Sequence, residues 1–297
     1  MAENHSRRDA IKKVATMALA GTALSSLTNR VSAHEQAMDT KLKGKVNHSV
    51  CKWCYNGIPL DELCKASKEI GIASIDLASP EDFTTLKKYD LTCAMVASNG
   101  KEWGIEKGWN RLEHHDPLVT YFERLIDQTA EAGFTNLICF SGNRKGMSDQ
   151  QGLENCATGL KKIIGYAEKK KVTLVMELLN SKVNHKDYQC DRTAWGVELC
   201  KAVGSNNFKL LYDIYHMQIM EGDVIHTIRD FHPYIAHYHT GGVPGRNEID
   251  ETQELFYPAI MQAVIDTGFK GFVAQEFIPK RADKLASLKQ GVLICDV

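Results

Sequence analysis

The chain has 297 residues, 43% of them apolar and 25% charged, with a formal net charge of −1. That length holds two small domains or one large α/β barrel, and the near-neutral balance excludes the broad basic surface that nucleic acid or acidic membranes demand. The nine cysteines are odd in number and scattered through apolar runs such as "LTCAMV" and "LICF", which reads as buried free thiols and not as a disulfide scaffold.

Residues 1–33 read as a separate segment. "SRRDAIKK" carries adjacent Arg7 and Arg8, a mildly apolar stretch runs from Val14 to Leu27, and "VSA" ends at Ala33. A basic region, a short apolar region and a small-residue cleavage site are the parts of an export signal, and the paired arginines predict the twin-arginine route to the periplasm. The competing reading is a basic amphipathic helix on a cytoplasmic enzyme. The apolar run is too short and too rich in Gly, Ser and Thr to form a stable membrane span. Without residues 1–33 the net charge becomes −4, which again argues against a nucleic-acid partner.

From residue 46 onward, β-rich runs alternate with segments at helical period. Strands are predicted at 46–53, 74–78, 91–98, 136–142, 172–179, 208–214, 235–242 and 271–277. Helical segments fall between them at 59–70, 113–132, 150–170, 193–203 and 255–268, several closed by a glycine such as Gly71, Gly133, Gly204 or Gly268. Near-continuous apolar strands separated by helices indicate a parallel sheet covered on both faces. The first strand is not followed by the G-x-G-x-x-G turn of an open dinucleotide-binding sheet. Polar residues instead recur at the C-terminal ends of the later strands, where barrel enzymes build their sites. The expectation is therefore an α/β protein, a single-domain (β/α)8 TIM barrel over residues 34–297.

Four ligand-type side chains hold equivalent places on the last four predicted strands: Glu177 in "VTLVMELLN", Asp213 in "FKLLYDI", His239 in "IAHYHTGG" and Glu276 in "GFVAQEF". Neighbouring barrel strand ends share one rim, so these groups can converge on one point. Three carboxylates and an imidazole suit one divalent metal ion of the Mn, Mg, Co or Zn kind. Such a cation would also explain a carboxylate in the apolar run "LLYDIY", since an unpaired buried charge costs several kcal/mol or takes up a proton. Separate salt bridges for each residue are the bland alternative. "CKWC", with Cys51 and Cys54, resembles half a zinc site, but no second pair of matching spacing follows.

"YDIYHMQIMEGD" resembles the signature of hydroxypyruvate isomerases, within the wider xylose isomerase-like barrel superfamily. "GGVPGRNEID", "ELFYP", "QEFIP" and "MELLN" are similar to other segments of that family. The resemblance implies a (β/α)8 barrel with one divalent metal that moves a proton between neighbouring carbons of a small hydroxy-carbonyl substrate. It implies Glu177, Asp213, residue 239 and Glu276 as ligands, with Glu177 and Glu276 as the catalytic pair working through an enediolate. The chain departs from the pattern at His239, where hydroxypyruvate isomerases typically carry Gln; His is more like the ketose 3-epimerases of the same superfamily. His216 is implied to touch a substrate oxygen, or else caps the following helix. Arg246 could clamp a carboxylate or hydroxyl oxygen, and His185 lies in a loop within reach of substrate. Trp53, Tyr55, Trp103 and Trp109 are pocket-wall or core aromatics. A dehydratase or lyase on a cyclic polyol or keto acid would begin with the same proton abstraction. A DNA-repair endonuclease would want more histidine ligands and a basic groove, and a sugar-binding protein would need no paired bases. The composition is compatible with a homo-oligomer.

Overall fold

The computed structural model describes residues 42–98, 100 and 102–297; the predicted signal segment lies outside them. Seven parallel strands form one sheet: β1 (Asn47–Cys51), β2 (Ser74–Asp76), β3 (Asn136–Cys139), β4 (Thr173–Glu177), β5 (Phe208–Asp213), β6 (Ile235–Thr240) and β7 (Phe272–Gln275). Their order around the sheet is β2-β1-β7-β6-β5-β4-β3. Almost every strand residue is buried, as expected of a parallel sheet with helices outside and packed side chains inside.

The predicted strand at 91–98 is the one that differs. It does not form a continuous ladder, yet it occupies the eighth position and closes the barrel between β2 and β3. Ile75 N–H donates to Thr92 O at 3.0 Å on one side, and Val96 N–H donates to Asn136 O at 2.9 Å on the other. Parallel bridges join Ser74 to Thr92, Ala78 to Val96 and Val96 to Leu137. The ladder breaks because the Ser74 hydroxyl takes the Ala94 N–H, at 2.7 Å, in place of a backbone carbonyl. The fold is a single-domain TIM barrel whose eighth element is a bridge-like segment.

The outer layer comprises α1 (Leu60–Ile70), α2 (Phe83–Lys88), α3 (His115–Glu131), α4 (Asp149–Lys170) and α5 (Thr193–Val203), followed by α6 (Ile214–Met220), α7 (Val224–Phe231), α8 (Tyr257–Asp266) and α9 (Lys284–Cys295). On α3 the buried residues Leu118, Phe122, Leu125, Ile126 and Thr129 recur at helical spacing and face the sheet. Gly71 and Gly204 close α1 and α5 at φ 97° and 75°, a backbone region that costs glycine least. All nine cysteines are buried and free. Among the described residues no helix is long and apolar enough to cross a membrane.

Candidate active site

The side chains that matter come from the C-terminal ends of β4 to β7. Glu177 is the last residue of β4 and Asp213 the last of β5, while Glu276 follows β7 directly. His239 lies directly opposite Asp213 in the β5–β6 ladder. One extra residue on β6, Ala236, shifts the register between Leu210 and Leu211. Beyond that bulge, His237 and His239 face the barrel interior: both reach Asp76 of β2, a strand three places around the sheet. Glu177, Asp213, His239 and Glu276 each offer a ligand atom within 4.8 Å of the others, and all four are buried. The structure thus brings together the four residues that the sequence places on successive strand ends.

Asp213 divides its two oxygens. Oδ1 accepts the His216 backbone N–H at 3.0 Å and so caps α6. Oδ2 turns to the cluster, 3.2 Å from Arg246 Nη2. The helix cap is therefore Asp213, and His216 stands in the first turn of α6, fully buried. Arg246 Nη2 also donates to Glu276 Oε2 at 2.5 Å, so this arginine is engaged with the protein's own carboxylates as well as facing the cleft. Its guanidinium lies 5.1 Å from the Trp53 ring and 5.4 Å from that of Tyr215, stacking that favours a cation. The loop that carries it is tight. Arg246 has φ 58°, uncommon for a residue with a side chain, and a Cβ at Gly242 would meet Glu248 O at 2.3 Å.

The electrostatics call for more positive charge than the protein supplies. Three buried carboxylates face one guanidinium and the His239 imidazole, which those carboxylates favour in its protonated form, so at least one negative charge is unmatched if all three ionise, and two once His239 gives up its proton to act as a ligand. Burial raises the Glu177 carboxyl above its ordinary range, with His239 opposing and Glu276 adding to the rise. Asp213 is pushed well above its range by burial, against the pull of Arg246 and with a further push from Glu276. Burial works on Glu276 too, but Arg246 and His239 outweigh it and hold that carboxyl well below its range. Only one of the three is thus comfortable as an anion. A divalent cation would relieve the other two, and the donor set of three carboxylate oxygens and one imidazole fits such an ion.

Beneath the cluster lies a polar group that sequence reasoning missed. His239 Nδ1 is 2.8 Å from Glu276 Oε2 and 3.5 Å from Glu177 Oε1, while its Nε2 is 3.4 Å from Asp76 Oδ2. Asp76 also receives the Ser49 hydroxyl at 2.5 Å and lies 2.5 Å from His237 Nε2. A histidine whose far nitrogen meets a carboxylate is oriented with its near nitrogen free to ligate. Asp76 ends its strand in "SIDLA", the same position that singled out the other four, so the signal was available. Cys51, the first cysteine of "CKWC", is 3.7 Å from His239 Nε2. Burial raises its thiol well above the ordinary value, leaving it a poor ligand without a metal to displace its proton.

The cluster opens into a cleft of about 260 Å³. Its lining combines the polar Glu177, Glu276, Arg246 and His185 with the apolar Leu77, Ile105, Ile138 and Phe140 and with Trp53, which donates its indole N–H to Glu276 Oε1 at 2.8 Å. Of the four aromatics singled out in the sequence, Trp53 alone lines this cleft; Tyr55 and Trp109 are core, and Trp103 packs beside His114. His185 packs against the His216 ring, with centroids 5.2 Å apart and planes tilted by 59°. Burial, with Arg246 adding to it, lowers both histidines below their ordinary value, which favours the uncharged ring. A larger cleft of about 440 Å³, between residues 249–258 (the loop before α8 and its first turn) and α9, contains none of the clustered donors.

The family model described as "Xylose isomerase-like TIM barrel" matches residues 66–292. The chain belongs to that family. Among curated members, the 2-oxo-tetronate isomerase of Cupriavidus necator is 35% identical over 37% of this chain and 41% of its own length. The hydroxypyruvate isomerase of Escherichia coli is 32% identical over 35% of this chain and 41% of its own. The chain thus spans about two fifths of the length of these curated relatives. Among solved structures, a family 2 AP endonuclease from Brucella melitensis superposes with a TM-score of 0.75 at 21% identity, covering 84% of this chain and 99% of that one. A D-psicose 3-epimerase from Clostridium cellulolyticum H10, with D-tagatose, gives 0.67 at 17% identity over 85% and 100%. At such identities the two structures speak for the xylose isomerase-like fold alone.

Proposed function

We propose that this xylose isomerase-like protein is a metal-dependent isomerase that moves a proton between neighbouring carbons of a small hydroxy-keto acid or sugar, in the manner named for its hydroxypyruvate and 2-oxo-tetronate isomerase relatives. The observation that carries the reading is the convergence of Glu177, Asp213, His239 and Glu276 within 4.8 Å at the open end of the barrel. These four would hold one divalent ion, which supplies Lewis-acid stabilisation of negative charge developing on a carbonyl oxygen.

The chain's own residues do the rest. Glu177, whose carboxyl burial raises, is suited to taking a proton and giving it back near neutral pH. Glu276 is its partner, kept ionised by Arg246 and oriented by the Trp53 indole. Arg246 and the first turn of α6 present donors to substrate oxygens, while Leu77, Ile105, Ile138 and Phe140 exclude water from the reacting carbons. A second reading, 3-epimerisation of a ketose, is favoured by one observation: His239 stands where hydroxypyruvate isomerases typically carry Gln. The two readings differ in whether one glutamate returns the proton to the adjacent carbon or the other returns it to the opposite face.

Incubating Mn²⁺-loaded protein in D₂O with a panel of keto acids and ketoses tests this. Deuterium should enter one compound at a carbon next to its carbonyl, and the product identifies the reaction. No incorporation into any member, from protein carrying stoichiometric metal, would refute it. We also propose that residues 1–33 direct export by the twin-arginine route. A native N-terminus at His34 in the periplasmic fraction supports this, and an intact N-terminus on cytoplasmic protein refutes it.

A further inference from the structure

We propose that Asn180 is a positioning residue that locks His216 into one tautomer, with the ring proton on Nε2, so that the site carries a one-way hydrogen-bond donor beside Asp213. The inference rests on the reading above for its consequence in catalysis, but its structural core stands on hydrogen-bond logic alone.

Asn180 lies three residues beyond the end of β4, fully buried, in the segment "MELLN". Its Oδ1 accepts two backbone N–H groups, from Val183 at 3.0 Å and Asn184 at 2.8 Å. Two backbone donors at one atom require that atom to be the oxygen, which fixes the orientation of the amide. The Asn180 nitrogen therefore points the other way. It donates to Asn184 Oδ1 at 2.8 Å, an oxygen that also receives the Tyr215 hydroxyl at 2.9 Å. Its second hydrogen faces His216 Nδ1 at 2.6 Å. A carboxamide nitrogen only donates, so Nδ1 must offer its lone pair, and a neutral imidazole that accepts at Nδ1 carries its proton on Nε2. The rings of His185, tilted at 59°, and Tyr215, edge-on at 67°, pack against the imidazole at 5.2 and 5.1 Å and hold it in this orientation.

The consequence lies at the other end of the ring. His216 Nε2 is buried without a hydrogen-bond partner and stands 3.7 Å from Asp213 Oδ2, the oxygen turned to the cluster. A buried N–H left unpaired is unfavourable, and an acceptor brought in beside Asp213 would satisfy it. With the proton locked on Nε2 the ring donates there and cannot accept. The substrate oxygen at that point therefore accepts from the ring: a carbonyl, a developing oxyanion, or a hydroxyl whose own proton goes to another acceptor such as Asp213 Oδ2.

Long-range ¹H–¹⁵N spectra of ¹⁵N-histidine-labelled protein, metal-free and at neutral pH, test the tautomer. The His216 signals are assigned by their loss in His216→Gln. The expected result is a protonated Nε2 and a bare Nδ1 in the wild type. In Asn180→Asp the side chain still accepts from the Val183 and Asn184 N–H groups but no longer donates to the ring, and Nδ1 should gain a proton. With a substrate in hand, Asn180→Asp should lower kcat/KM at least tenfold while bound metal stays unchanged. A wild-type ring protonated on Nδ1, or an unchanged tautomer in Asn180→Asp, would overturn the proposal. If Asn180→Asp fails to fold, the wild-type spectrum decides alone. The spectrum does not depend on turnover, so an absence of isomerase activity would contradict the functional reading and leave this result standing.

Discussion

The two halves of this barrel contribute different things to one site. β4 to β7 carry every member of the donor cluster, Glu177, Asp213, His239 and Glu276. The other half, β1 to β3 with the segment 91–98, supplies Trp53, Leu77, Ile138 and Phe140 to the lining of the cleft. The first group sits at the ends of strands joined in unbroken succession from β4 to β7. The second sits where strands are short, the ladder is interrupted and Leu77 adopts φ 56°. A rigid rim suits groups that must hold a fixed geometry around a cation, and the irregular rim is free to shape a pocket. The halves are joined by Asp76, which reaches across the lumen from β2 to His239.

This division can be broken experimentally. The largest effect should come from Glu177→Gln or Glu276→Gln. Each keeps an oxygen beside the cation but removes a base, so substrate proton exchange should fall by about 100- to 10,000-fold with metal still bound. Deuterium exchange into substrate measures it, and exchange undiminished in Glu177→Gln would place the base elsewhere. Next is the strut between the halves. Asp76→Asn should weaken metal binding about 10- to 100-fold by loosening the His239 ring, read by titration with Mn²⁺; unchanged affinity would make Asp76 a purely structural partner of His237. Leu77→Ala, on the wall, should lower kcat/KM about tenfold through lost apolar contact while leaving metal affinity unchanged. A loss of metal in that variant would mean that the two halves are not separable. The smallest effect belongs outside both: Phe256, 71% exposed beside the larger cleft, should tolerate Phe256→Ser with stability changed by less than about 0.5 kcal/mol and activity intact.

The same contrast explains what could be read from sequence. The β4–β7 half was legible because its strands are apolar runs interrupted by a single ligand-type residue, as in "LLYDI", and matching positions on parallel strands must share a rim. Glu177, Asp213, His239 and Glu276 follow from that rule. The strand at 91–98 was legible as an element but not as a broken one, because its interruption depends on one side chain, the Ser74 hydroxyl, taking a backbone N–H. The engagement of Arg246 with Asp213 and Glu276 was hidden because it rests on a tight loop in which Arg246 itself takes a left-handed backbone conformation. Asn180 was visible only as part of a motif, since its role depends on two backbone N–H groups brought round by the following turn.

The central claim is that four side chains from four strands hold one divalent cation, and metal content tests it most directly. Wild-type protein dialysed against Mn²⁺ and then against metal-free buffer should retain one ion per chain. Asp213→Asn, which preserves the cap on α6 because asparagine caps a helix as well as aspartate does, should retain far less while keeping the same circular dichroism. Full occupancy in Asp213→Asn, or a wild-type protein that retains no stoichiometric metal, would contradict the account.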